Sequence, residues 1–167
     1  MKGALGALLA LLCAAFGSLP ASSHAEYPDK PIRLIIPFVP GGAADLLGRY
    51  LGRALSADFG QPVVLENKSG AGGLIGIEAG RAAPPDGYTL TLISSSYTVN
   101  PALYHLKFDP VRDITPIVQI SRGPMLIVTS PTFPATSIAE LVAYARANPN
   151  KVNFASSGQG SVIHLAN

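Results

Sequence analysis

The 167-residue sequence holds one cysteine, no tryptophan and three histidines. A lone thiol, Cys13, excludes an internal disulfide and cannot build a multi-thiolate metal site. Beyond His24 only His105 and His164 remain, too few for a histidine-rich metal centre. Charged residues are 13% of the chain, against about 25% in an ordinary globular protein. The net charge of +2 is far from the basic footprint of a nucleic-acid binder, so none is expected as a partner. No apolar run reaches the roughly 20 residues of a transmembrane helix. Core and turn material, by contrast, is plentiful, with 48% hydrophobic residues, 17 glycines and 15 prolines. That balance describes a globular chain with many tight loops.

The N-terminus reads as an export signal. Lys2 supplies a positive start, Leu5 to Phe16 a short apolar run, and Ser23-His24-Ala25 a small-residue exit. Cleavage is expected after Ala25, which places the mature protein in the periplasm and leaves it without a thiol. Cys13 does not make a lipoprotein signal, because Leu12 stands where a small residue is needed.

After residue 25 the pattern alternates. Residues 32–38 form an apolar run of the kind buried on both faces of a parallel sheet. Leu46, Leu47, Tyr50, Leu51, Ala54, Leu55 and Phe59 then recur at helical spacing, and Gly60 provides the stop. Residues 63–66 and 88–93 read as further strands, with a helix over 74–82 between them and a Pro-Pro-Asp-Gly turn at 84–87. Residues 114–120, 125–129 and 153–155 are also expected as strands. Ser137 to Glu140 has capping-box spacing and opens a helix that ends near Asn148-Pro149. Alternating strands and helices predict an α/β protein with parallel sheets. A helix should begin after Ser161, and the sequence stops at Asn167, so an incomplete final unit is expected.

Three loops share the design of strand, glycine-rich turn and helix start: residues 40–45, 67–73 and 156–161. In open α/β sheets such loops gather where ligands bind. Glycine allows close backbone approach, and free N–H groups at helix starts attract anions. The simpler reading of any one of them is a tight turn. Gly70, Gly72, Gly73 and Gly76 do not have the GxGxxG spacing of a dinucleotide site, and no Gly-Lys-Ser/Thr closes a P-loop. Ser157 with His164 could be drawn as nucleophile and base, but Ser-Ser-Gly-Gln-Gly is not a GxSxG elbow. Asp45 complements the dipole of its helix, and Lys68 is a solvated loop lysine. No enzyme activity and no cofactor are expected.

Several motifs then occur in one order: Tyr27-Pro28-Asp29-Lys30-Pro31-Ile32-Arg33, Pro40-Gly41-Gly42-Ala43-Ala44-Asp45, residues 67–73, Pro85-Asp86-Gly87-Tyr88, Asn100-Pro101-Ala102-Leu103-Tyr104, Phe108-Asp109-Pro110 and residues 155–165. Together they make the chain resemble the tripartite tricarboxylate transporter substrate-binding proteins, the Bug receptors. That resemblance implies a two-lobed periplasmic-binding-protein fold of type II that closes on its ligand. It divides the chain into residues 26–122, the first lobe without its return segment, and residues 123–167, the start of an incomplete second lobe. It implies a monomeric receptor for a small organic carboxylate, delivered to a pair of membrane permease subunits. Carried over by motif, the ligand site would use Pro40, Gly41, Gly42, Asp45, Ser95, Ser96 and Tyr97 from the first lobe. The second lobe would add Ser157, Gly158, Gly160 and Ser161. The stretch Ser94 to Val99 varies among such receptors, and family members are about twice as long. A sensor partner, an exported hydrolase and an inactive shortened product are the alternative readings.

Overall fold

The computed structural model describes residues 26–166. The leader-peptide reading of residues 1–25, with its cleavage site after Ala25, lies outside the described residues. The ordered body begins with strand β1, Ile32–Ile36, followed by helix α1, Ala43–Phe59. Strand β2, Val63–Asn67, helix α2, Leu74–Arg81, and strand β3, Thr89–Thr91, come next. Both β2 and β3 pair with β1 in parallel, giving the order β2-β1-β3. The register sets Ile32 beside Val63 and Arg33 beside Thr89. Parallel neighbours require crossovers, and α1 and α2 supply them.

The alternation of side chains along β1 divides the core between the two sheet faces. Ile32 and Leu34 pack with Val63 beneath Leu51 and Leu55 of α1. Gly48 and Gly52 let α1 lie close, since a Cβ at Gly48 would stand 2.6 Å from the Ile36 side chain and one at Gly52 3.0 Å from Leu65. Against the other face, α2 presents Gly76 to Pro37 and Gly80 to Thr91. Each fully buried isoleucine or leucine of β1 contributes about 1.5–3 kcal/mol, so this strand anchors the fold. At the end of α1, Gly60 takes the left-handed conformation expected of a helix stop.

Beyond β3 the chain forms short helix α3, Asn100–Leu103, then α4, Ile138–Ala147, and α5, Val162–Ala166. The predicted cap of α4 is present. The Ser137 hydroxyl accepts from the Glu140 amide at 3.2 Å, while the Glu140 carboxylate reaches past the cap to the Thr136 amide at 2.7 Å.

Residues 114–120, 125–129 and 153–155, expected as strands, are not strands. No described backbone pairs with them, and a strand without a partner leaves its N–H and C=O groups to water. Their apolar side chains are correspondingly exposed, as at Ile117, Val118, Leu126 and Val128. Among the described residues the α/β architecture is thus carried by one three-stranded parallel sheet.

Candidate functional site

Because all three strands run the same way, the loops that follow them leave from one edge of the sheet. Two backbone bonds extend that edge: Lys68 N–H donates to Ile36 C=O, and Leu92 N–H to Ile35 C=O, both at 2.9 Å. The loops are residues 37–42, residues 68–73 with a 3-10 turn at Ala71–Gly73, and residues 92–98 with a 3-10 turn at Ser95–Thr98.

In the first loop Pro40, Gly41 and Gly42 are exposed. Gly41 has φ of +85°, and no atom lies within 4 Å of where its Cβ would be. Gly42 is the N-cap of α1 and offers no side-chain acceptor, so the first-turn amides have no side-chain cap. Asp45, in contrast, is buried. One carboxylate oxygen accepts from Gly41 N–H at 2.9 Å and from Arg49 Nε at 2.8 Å. The other accepts from Arg49 at 3.2 Å and from Asn67 Nδ2 at 3.0 Å. These donors hold its carboxyl well below the usual carboxylate range, the Arg49 hydrogen bond most strongly.

The residues of the third loop divide. Ser95 is exposed, whereas Ser96 is buried and its hydroxyl accepts from Val162 N–H at 3.0 Å, sixty-six positions further along the chain. Tyr97 points its phenol at Pro110 C=O, 2.6 Å away, and its ring packs against the Leu74, Ile77 and Phe108 cluster. Burial pushes that phenol's pKa up. Its side chain is therefore engaged in packing, and the loop meets the site through its backbone and serines.

The last loop joins the others. A Cβ on Gly72 would stand 3.0 Å from the carbonyl group of Gly160 and 3.3 Å from Ser161 N, and Gly72 also has φ of +63°. Only glycine satisfies both requirements. Tyr104 donates its hydroxyl to Gln159 C=O at 3.1 Å and covers Gly160. Ser157 and Gly158 are exposed at the rim, while Ser161 is buried and caps α5 by accepting from His164 N–H at 3.1 Å. No hydrogen bond joins Ser157 to His164 among the described residues, and the His164 Nδ1 atom is buried without a partner. That geometry gives no nucleophile–base pair.

The structure therefore brings residues 71–73, 95–98 and 158–161 into contact, with residues 40–42 on the same sheet edge. Motif reasoning missed Arg49, Asn67, Gly72, Asn100 and Tyr104. The i,i+4 spacing of Arg49 from Asp45 was a usable signal, and Asn67, Gly72, Asn100 and Tyr104 all stood inside the ordered motifs. Asn100, just after the third loop, is fully buried with both amide atoms unpaired. The cations near these loops have acidic partners: Arg49 pairs with Asp45, and Lys68, at 3.0 Å, shares Glu66 with Arg33. The described residues contain no cluster of metal-ligating side chains.

A family model described as "Tripartite tricarboxylate transporter family receptor" matches residues 47–167. A UPF0065 protein of Bordetella pertussis is 40% identical over 161 residues, covering 95% of this chain and 48% of that protein. Among solved structures, R. palustris Rpa4515 with adipate is 34% identical with a TM-score of 0.76, covering 84% of this chain and 48% of its own. MatC from Rhodopseudomonas palustris with bound malate is 30% identical with a TM-score of 0.74, covering 81% and 47%. The chain spans about half the length of the curated relatives it matches.

Proposed function

Given that this chain belongs to the tripartite tricarboxylate transporter receptor family, we propose that it is a periplasmic receptor for a small organic carboxylate. The observation that carries this reading is the meeting of glycine loops at the carboxyl edge of a parallel sheet, where Gly72 and Gly160 pack back to back. Such a cup offers backbone N–H groups and serine hydroxyls, and those donors suit a carboxylate that arrives without its own counter-ion. Pro40, Gly41 and Gly42 form one wall with the uncapped start of α1. Ser95, Ser96 and the Tyr97 backbone form a second, and Ser157, Gly158, Gly160 and Ser161 a third. Asp45 belongs to the site through the turn it holds.

Relatives described with adipate and with malate support a dicarboxylate as the ligand. In this reading residues 26–122 are the first lobe, residues 123–167 begin the second, and the monomeric receptor passes its ligand to a permease pair. A Ser157–His164 hydrolase has no support in the geometry. The test is thermal unfolding with a panel containing adipate, malate and representative mono- and tricarboxylates. A ligand-dependent rise in Tm, confirmed by calorimetric titration, is expected. The absence of any shift across the panel overturns the reading. At a ligand concentration of 100 Kd the stabilisation is about 2.7 kcal/mol, well within reach of the measurement.

A further inference from the structure

We propose that Asp45, Arg49 and Asn67 are the positioning residues of the carboxylate cup, with Asp45 holding the Gly41–Gly42 turn, Asn67 tying that hold to β2, and Arg49 cancelling its charge so that an anion can approach. The proposal rests on the carboxylate reading above and adds a division of labour to it.

Apart from the helix bond from Leu46 N–H to Gly42 C=O at 3.0 Å, the turn has little else to hold it. Gly41 sits at φ +85° with open space beside its Cα, and a Cβ on Gly42 would meet only Val39 C=O, at 3.8 Å. Against that emptiness stands one charge-assisted bond, from Gly41 N–H to Asp45 at 2.9 Å. Asn67 spreads the same restraint across two strands. Its Nδ2 donates both to Phe38 C=O and to the second Asp45 oxygen, each at 3.0 Å, so the end of β2 is joined to the segment leaving β1. A loop otherwise free to rearrange is thereby fixed at both ends.

The carboxylate that does this carries a charge of the wrong sign for the proposed ligand. It is buried directly behind the turn and remains ionised, because its donors stabilise the anion. An uncompensated anion there would repel an incoming carboxylate. Arg49 removes the conflict by binding both Asp45 oxygens, at 2.8 and 3.2 Å, from one turn further along α1. Its side chain is 49% exposed while that of Asp45 is 2% exposed, so the pair offers the site a neutral rear wall and turns its cation to solvent. Lysine could match the charge of this fork but not its two-point geometry.

The test uses the full chain labelled with 15N-glycine, amide exchange at Gly41, and calorimetric titration of adipate and malate at low and high salt. Asp45→Asn keeps the shape of the side chain but gives up an acceptor. It is expected to speed Gly41 exchange at least tenfold and to weaken dicarboxylate binding at least tenfold. Arg49→Ala changes a partly exposed residue and leaves the Gly41 bond in place, which guards against simple misfolding. Its expected loss of affinity is about fivefold at low salt, shrinking at high salt, with Arg49→Lys recovering most of it. A purely structural role would lower Tm without a salt signature or lysine rescue. Unchanged Gly41 exchange in Asp45→Asn, or unchanged low-salt affinity in Arg49→Ala, overturns the proposal. Should neither acid bind the unsubstituted chain, the carboxylate reading fails, and Gly41 exchange alone decides whether Asp45 holds the turn.

Discussion

Residues 32–91 and residues 111–155 contain comparable apolar runs and treat them in opposite ways. In the first region Ile35 of β1 is 0% exposed, whereas Val128 in the second is 85% exposed. Composition does not separate the two. The first region has a central strand with a partner on each side and a helix for each face, so every apolar side chain of β1 has somewhere to go. The second has the same β-branched residues and no described strand beside it. A run of valine and isoleucine is thus not enough for a strand, which also needs a neighbouring backbone to pair with.

This contrast is open to direct attack. The largest expected effect is from Ile35→Ala, about 2–5 kcal/mol from lost burial and the cavity left behind, read by urea unfolding. A cost below about 1 kcal/mol would mean that the sheet is not the core. Next comes Gly76→Ala, whose new Cβ would stand 2.7 Å from the Pro37 Cβ and 2.8 Å from Lys68 C=O. Backbone cannot rotate away as a side chain can, so a loss of about 1–3 kcal/mol is expected, again in urea.

Ser137→Ala should cost α4 about 1 kcal/mol through its missing cap, visible as faster amide exchange over residues 138–147. Glu140 adds a pH signature to the same helix. Its carboxyl is held below the usual value of 4.5, first by the Thr136 amide and then by the Thr136 hydroxyl. A depressed folded pKa means that the contribution is whole above the unfolded value and is lost as pH falls through the folded one. Protection of α4 should therefore decline on acidification below about 4.5, and Glu140→Gln should flatten that decline. The smallest effect is expected from Val128→Ala, within about 0.5 kcal/mol. A loss of 2 kcal/mol or more there would show the second region to be buried in solution and would break the comparison outright.

Much of the fold was legible because its signals are local. The apolar run at 32–36, the helical stripe ending at Gly60 and the Ser137 cap each depend on residues a few positions apart. Helix α1 begins at Ala43 and carries Asp45 in its first turn, in line with the helix start read at the end of the 40–45 loop. The missing strands at 114–120, 125–129 and 153–155 failed for the opposite reason, because their fate depends on distant neighbours. In the candidate site the glycine loops were visible, but the direction of each side chain was not. Tyr97 turned to Pro110, Asp45 turned inward to Arg49 and Asn67, and Ser161 became a helix cap.

The sequence by itself determined the α/β class, the positions of the glycine turns and the ordered motifs of the tripartite tricarboxylate transporter receptor family. All of these are written in short-range spacing and residue chemistry. Only the tertiary structure decided that Gly72 meets Gly160, that Ser96 receives the amide of Val162, and that the Asp45 carboxylate accepts from the Gly41 amide. Those contacts join residues between four and eighty-eight positions apart, and they follow from the parallel sheet bringing its loops to one edge. Spacing along a chain says which residues can bend or bind; the packed sheet says which of them meet.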